Sequence, residues 1–344
     1  MQEPFPVDER LKARLVDLAS QAPTAFVLPD RLRRRARRRV VTVAAVWALA
    51  AVLVAGAIAE TTRLMRAWDG APAHAPTHLF DHARGKITLE SSGGIFAVDP
   101  YDPDGISLIT PLEGTPLDWS ADGSELLISA QNQGHLSLLI LRDDGSQTWL
   151  PGTEGGIWGS FTPDGDTVVF GAFRSGDEGV YTIYEVPLDG GSRSRIAAGL
   201  LGTEGFEAPD VSPDGTRIAY CDVGAHVAVW TMDRHGGARE QVVGDSQIPI
   251  TRCGSMEWSP DGTRIAFEVE VPSGGSRIYV VSADGSDLTL LDDVRAFNPS
   301  WSRDGSLIAY VGDNVLMTIA PDRTRRGVVP GVFFSSGPWN PVAP

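Results

Sequence analysis

Asp118-Trp119-Ser120-Ala121-Asp122-Gly123 recurs four times further along the chain. The copies are Ser160-Phe161-Thr162-Pro163-Asp164-Gly165, Asp210-Val211-Ser212-Pro213-Asp214-Gly215, Glu257-Trp258-Ser259-Pro260-Asp261-Gly262 and Ser300-Trp301-Ser302-Arg303-Asp304-Gly305. Their closing glycines fall 42, 50, 47 and 43 residues apart, the length of one four-stranded propeller blade. Each position has a physical reason. The aromatic ring is large enough to wedge between stacked sheets. Proline presets φ on entry to a turn, and aspartate bonds the backbone ahead of it. Glycine accepts the positive φ of a tight hairpin.

Working outward, an apolar triplet follows every copy: Leu126-Leu127-Ile128, Val168-Val169-Phe170, Ile218-Ala219-Tyr220, Ile265-Ala266-Phe267 and Ile308-Ala309-Tyr310. Continuous apolar runs of this length suit strands covered on both faces. A third strand then ends in another turn, and this feature has six copies, the first at Ile95-Phe96-Ala97-Val98 and the last at Leu316-Met317-Thr318. The first unit begins at Lys86-Ile87-Thr88-Leu89 and lacks the motif before it, while the chain ends on Gly337-Pro338-Trp339-Asn340-Pro341. The C-terminus therefore reads as the missing innermost strand of the first blade. Closing the ring in this way removes exposed sheet edges. The expected fold class is all-β, a six-bladed propeller over residues 85–344.

The aromatic-Ser-Pro-Asp-Gly unit followed by an Ile-Ala-Tyr/Phe strand resembles the WD-like repeats of TolB-type propellers, from about Lys86 to Pro341. The resemblance implies an extracytoplasmic, protein-binding module; related propellers precede serine peptidase domains. No Gly-x-Ser-x-Gly nucleophile elbow accompanies the repeats here. TolB resembles a soluble protein with an additional N-terminal α/β domain, whereas this chain reads as anchored. No Tol-system role is carried over, because one fold hosts many functions.

Ahead of the repeats, Val40 to Ala59 is a 20-residue run without charge, preceded by Arg31, Arg33, Arg34, Arg35, Arg37, Arg38 and Arg39. At helical rise such a run spans about 30 Å, a bilayer core. The arginines place residues 1–39 in the cytoplasm and the repeats outside, with a single transmembrane helix over 40–60 and a linker over 61–84. A cleaved signal peptide would have a shorter charged region and a shorter apolar run. Leu11, Leu15 and Leu18 share one face of a short helix over Asp8–Ala19. His74, His78 and His82 are spaced by four, but Pro72 and Pro76 break the helix that would align them for a metal.

Charge divides at the same boundary. The chain carries −15 overall, and its first 66 residues hold twelve basic against six acidic side chains, so the remaining 278 carry −21. That sign repels nucleic acid. Asp99, Asp102, Asp104 and Gly105 look loosely like a calcium loop, but Pro100 and Pro111 stand where that loop needs carboxylates, so a turn is expected.

Asp118, Asp210 and Glu257 precede the motif's aromatic position on strands that ring a central channel. They are candidate binding residues for a cation or a basic peptide segment; the alternatives are a solvated channel and bonds to backbone amides. Cys221 and Cys253 fall near one face of the ring, a candidate disulfide in an oxidising exterior. No catalytic residue, metal site or cofactor is assigned. The reading is a non-catalytic binding module for a protein, peptide or envelope ligand. Its alternatives are a transmembrane sensor whose N-terminus contacts a regulator such as a sigma factor, and a metal-dependent lactonase or lyase.

Overall fold

The computed structural model describes residues 78–102, 105–173, 181–198, 206–223, 226–244, 246–292, 294–313, 315–324, 326–329 and 335–342. The N-terminal segment, the apolar run at 40–60, most of the linker, His74 and Asp104 lie outside them. Among the described residues, no helix is long and apolar enough to cross a membrane.

The described residues form 24 strands in six four-stranded antiparallel sheets. Blade 2 comprises β4 (Thr115–Trp119), β5 (Glu125–Asn132), β6 (His135–Arg142) and β7 (Gln147–Trp149). Blade 3 opens with β8 (Gly156–Phe161) and ends with β11 (Ser194–Ala198). Blade 4 opens with β12 (Phe206–Val211) and β13 (Arg217–Asp222), blade 5 with β16 (Arg252–Trp258) and β17 (Arg264–Glu270), and blade 6 with β20 (Ala296–Trp301). Blade 1 is the shared one. Its order is β24 (Ser335–Trp339), β1 (Ile87–Ser91), β2 (Gly94–Val98), β3 (Ile106–Thr110), with Ile87 opposite Trp339. The C-terminal strand thus takes the innermost place that the first blade lacked.

The repeated motif is a turn with a lock. In every copy the glycine N–H donates to the carbonyl of the Ser/Thr three residues earlier, at 2.8 Å. That hydroxyl donates to the aspartate Oδ1 at 2.5–2.7 Å. It also accepts the N–H that begins the next strand, at 2.9–3.2 Å. Gly123 stands at φ +68°, where an L side chain would be strained.

Packing explains the apolar triplets. Buried side chains form clusters that each span two neighbouring blades. In Leu126-Leu127-Ile128 the outer two residues pack toward blade 1 and Leu127 toward blade 3. The centre of each triplet is matched in size to the next blade's motif residue. Ala219 shares a cluster with Trp258, Ala266 with Trp301 and Ala309 with Trp339. Where the wedge is smaller the centre is larger: Leu127 with Phe161, and Val169 with Val211. Close packing permits only such compensated volumes.

Residues 78–84, read in the sequence as the end of a linker, pack onto blade 2. Phe80 is 2% exposed and meets Trp119 edge-on at 4.7 Å. Asp143 accepts the Phe80 N–H at 2.7 Å and faces His78 Nδ1 at 2.8 Å.

Candidate functional site

The innermost strands of all six blades line a central cavity of about 150 Å³. These strands are sheet edges, and Pro116, Pro209, Pro299 and Pro338 lie along the cavity. Proline suits an edge because it offers no N–H to a further strand.

Asp118, Asp210 and Glu257 line this cavity together. Their oxygens, however, point along the ring into the following blade. Asp118 Oδ2 accepts the Phe161 N–H at 2.7 Å, Asp210 Oδ2 the Trp258 N–H at 2.7 Å, and Glu257 Oε1 the Trp301 N–H at 3.3 Å. Serine does the same elsewhere: Ser160 Oγ accepts the Val211 N–H at 3.3 Å and Ser300 Oγ the Trp339 N–H at 3.0 Å. Five joints between blades therefore carry a forward bond of this kind, and at two of them the Trp258 and Trp301 indoles also donate, to the Asp210 and Glu257 carbonyls at 3.2 Å. The sixth breaks the rule, because Pro338 occupies the acceptor position in blade 1. Asp118 Oδ1 turns back to its own neighbour's amide, Trp119 N–H, at 2.8 Å, and the buried Trp119 indole N–H has no acceptor. Of the roles the sequence left open, the geometry gives these carboxylates bonds to backbone amides.

The Protein TolB homolog of Chlorobium luteolum is 30% identical over 156 residues, 43% of this chain and 31% of that protein. An uncharacterized peptidase of Bacillus subtilis, YuxL, is 30% identical over 106 residues, 29% of this chain and 16% of that one. The crystal structure of TolB from Acinetobacter baumannii superposes with a TM-score of 0.59 at 17% identity, covering 74% of this chain and 66% of that chain. The ring is a TolB-like six-bladed propeller. The chain spans less than a third of the length of these two curated relatives, and no family model matches it.

Two kinds of carboxylate coexist in the TolB-like ring. Burial pushes Asp118 up to about 8, aided by the Asp210 charge and opposed by its amide bonds. Burial likewise raises Asp210 to about 6, and it raises Glu257 well above the carboxylate range with help from Asp210 and Asp118. The turn aspartates Asp122, Asp164, Asp214, Asp261 and Asp304 shift down, because hydroxyl and amide donors hold their charged form.

These shifts have opposite consequences for stability. A raised carboxylate binds more protons folded than unfolded, so its contribution falls as pH rises from the ordinary range through its folded value. A lowered one loses its contribution as pH falls below that range. The melting temperature therefore peaks at about pH 5 and declines on both sides. Calorimetry from acid to alkaline pH checks this, and Asp118→Asn flattens the decline between pH 5 and 8. A flat wild-type profile over that interval would refute it.

Cys221 on β13 and Cys253 on β16 form a disulfide between blades 4 and 5, with Cα atoms 5.9 Å apart. Both are buried. Among the described residues, no three His, Cys, Asp or Glu side chains converge to hold a metal ion. His82 is exposed. Asp99 and Asp102 close backbone turns with Tyr101 and Gly105.

A second cavity, of about 250 Å³, opens where β16 and β20 begin, at the channel mouth opposite the motif turns. Trp158, Arg252, Glu268, Glu270 and Phe297 line it. None of these residues is marked in the sequence. Glu268 and Glu270 fall on a strand in ordinary alternation, and the cavity exists only because three blades meet there.

Proposed function

We propose that this chain is a non-catalytic binding module, held at the outer side of a cell membrane by its N-terminal apolar run and engaging a protein or peptide at the mouth of the ring. The observation that carries the reading is the commitment of Asp118, Asp210 and Glu257 to the amides of the next blade. Carboxylates that hold the ring together are poor candidates for nucleophile, base or metal ligand, and a lactonase or lyase would need a converging donor set. The arginine cluster beside Val40–Ala59 and the disulfide both favour an extracytoplasmic ring.

A photo-cross-linking amino acid at Ser273, exposed on a hairpin at the mouth, should give a discrete protein adduct in intact cells. The same group at Arg303, on the opposite face, should not. Absence of any adduct at Ser273 would overturn the reading. The 39-residue N-terminal segment, with its Leu11, Leu15 and Leu18 face, favours a sensor as the second reading. Deleting Met1 to Pro29 would then abolish a transcriptional response while leaving the ring displayed.

A further inference from the structure

Residues 78–84 belong to no sheet, yet they fill the joint between blades 1 and 2. Phe80 and Ala83 are buried. They share one cluster with Ile95, Ala97 and Ile109 of blade 1 and with Trp119, Leu126 and Leu141 of blade 2. The segment's hydrogen bonds to blade 2 converge on Asp143, in the hairpin that follows β6. The Asp143 carbonyl accepts the Leu79 N–H at 2.6 Å, its Oδ1 accepts the Phe80 N–H at 2.7 Å, and its Oδ2 faces His78 Nδ1 at 2.8 Å. Otherwise the segment folds on itself. Ala83 N–H donates to the Phe80 carbonyl at 2.8 Å, and Lys86 N–H to the Ala83 carbonyl at 3.0 Å.

The same joint is poorly satisfied. Among the described residues, five buried polar side-chain atoms lack a hydrogen-bond partner, and three of them gather here: Trp119 Nε1, Ser107 Oγ and Asn340 Nδ2. Trp119 is the ring that Phe80 meets edge-on. Ser107 shares the face of β3 that carries Ile109, because its neighbours Ile106 and Leu108 pack toward blade 6. Asn340 follows the closing strand and lies against the blade 2 turn at Gly123. Buried polar groups without partners raise the free energy of the packed state, and admitting water relieves that cost. A short segment with one polar attachment and a strained seat opens at lower free energy than the sheets around it.

Whatever the ring binds, we propose that residues 78–84 are a releasable strap, which leaves the joint as a unit while all six sheets stay folded. The fixed end is Gly85, whose carbonyl is held by the Trp339 indole at 2.8 Å. Beyond it, β1 is paired on both sides, with β2 and β24. A load on the chain ahead of His78 therefore acts on the strap before it acts on a sheet. Release uncovers the Trp119 ring and opens its side of the joint to water. Asp143 N–H bonds the Ser124 carbonyl, next to the blade 2 motif turn, so the strap carries the state of the linker to the motif-turn face of the ring.

Hydrogen exchange of the full-length chain in detergent, read by mass spectrometry, tests the release. In the wild type the Leu79, Phe80 and Ala83 amides should be protected, yet exchange about a hundredfold faster than those of β5 and β6. Phe80→Ala and Asp143→Ala should each cut the strap's protection by about tenfold or more, with β1, β5 and β6 staying within about twofold of wild type. Strap amides as slow as those of β5, or a loss in either variant that spreads to β5, would make the segment an integral part of the ring and overturn the proposal. So would strap amides without protection in the wild type. Optical tweezers with handles at Thr61 and Ser273 test the response to load. The first extension should be a separate step of up to about 30 Å, the drawn-out length of residues 78–85, and Phe80→Ala should abolish it. A first event as large as a whole blade would sink the strap.

Discussion

A chain terminated after residue 334 loses its cooperative unfolding transition. That truncation removes β24 and with it the innermost strand of blade 1. Trp339 leaves the cluster it shares with Ile87, Leu89, Phe96 and Ala309. The Ser300 hydroxyl loses the Trp339 N–H, and the Thr88 hydroxyl loses the Pro338 carbonyl, to which it donates at 2.7 Å. The Gly85 and Lys86 carbonyls lose the Trp339 indole and Asn340 amide. β1 becomes a bare apolar edge, which invites aggregation. The milder Trp339→Ala keeps the strand and should cost about 3–5 kcal/mol. Thermal unfolding followed by circular dichroism separates the two. A truncated chain that melts cooperatively within a few degrees of the full one would show that closure is dispensable.

The second large effect concerns the bridge between blades 4 and 5. Cys221→Ala, Cys253→Ala should lower stability by about 3–4 kcal/mol, the chain-entropy value for a loop of this length, given a sequence separation of 32. For a domain of this size that corresponds to a melting point lower by about 10 °C. Both sulfurs are buried against Val229, Met256 and Trp258, so the cross-link and the packing fail together. Calorimetry of the oxidised wild type, the reduced wild type and the double variant measures each part. Identical melting of all three would remove the bridge from any account of the ring's stability.

Most of the architecture was legible because repetition amplifies weak local signals. The turn lock, the apolar triplets and the closing strand at Gly337–Trp339 each follow from residue types at fixed offsets. The anchor at 40–60 lies outside the described residues and stands as a reading of the sequence. The size matching between Ala266 and Trp301, or Val169 and Val211, is written in the chain but becomes visible only when the blades are stacked. The channel carboxylates were located correctly on the inner strands, but a sequence fixes neither rotamer nor direction. Asp118 could have faced the channel's axis, and it faces Phe161. Trp158, Arg252 and Glu268 had no local signature at all, since the cavity they line brings them together from positions up to 110 residues apart. Phe80 escaped for the opposite reason. With Leu79 it forms a lone apolar pair in a polar, proline-rich stretch, too short to register as a strand or a helix.

The break in the forward bonds at Pro338 has a mechanical meaning. Five hooks around the hoop all face the same way, and the place without one is the joint between blades 1 and 2, not the place where the two chain ends meet. That joint is held instead by the Thr115 hydroxyl, which donates to Glu90 Oε2 at 2.8 Å, and by the packing around Trp119. Phe80 is the stopper in that gap, seated by Asp143, so tension on the chain ahead of His78 would draw the stopper before it strained any sheet.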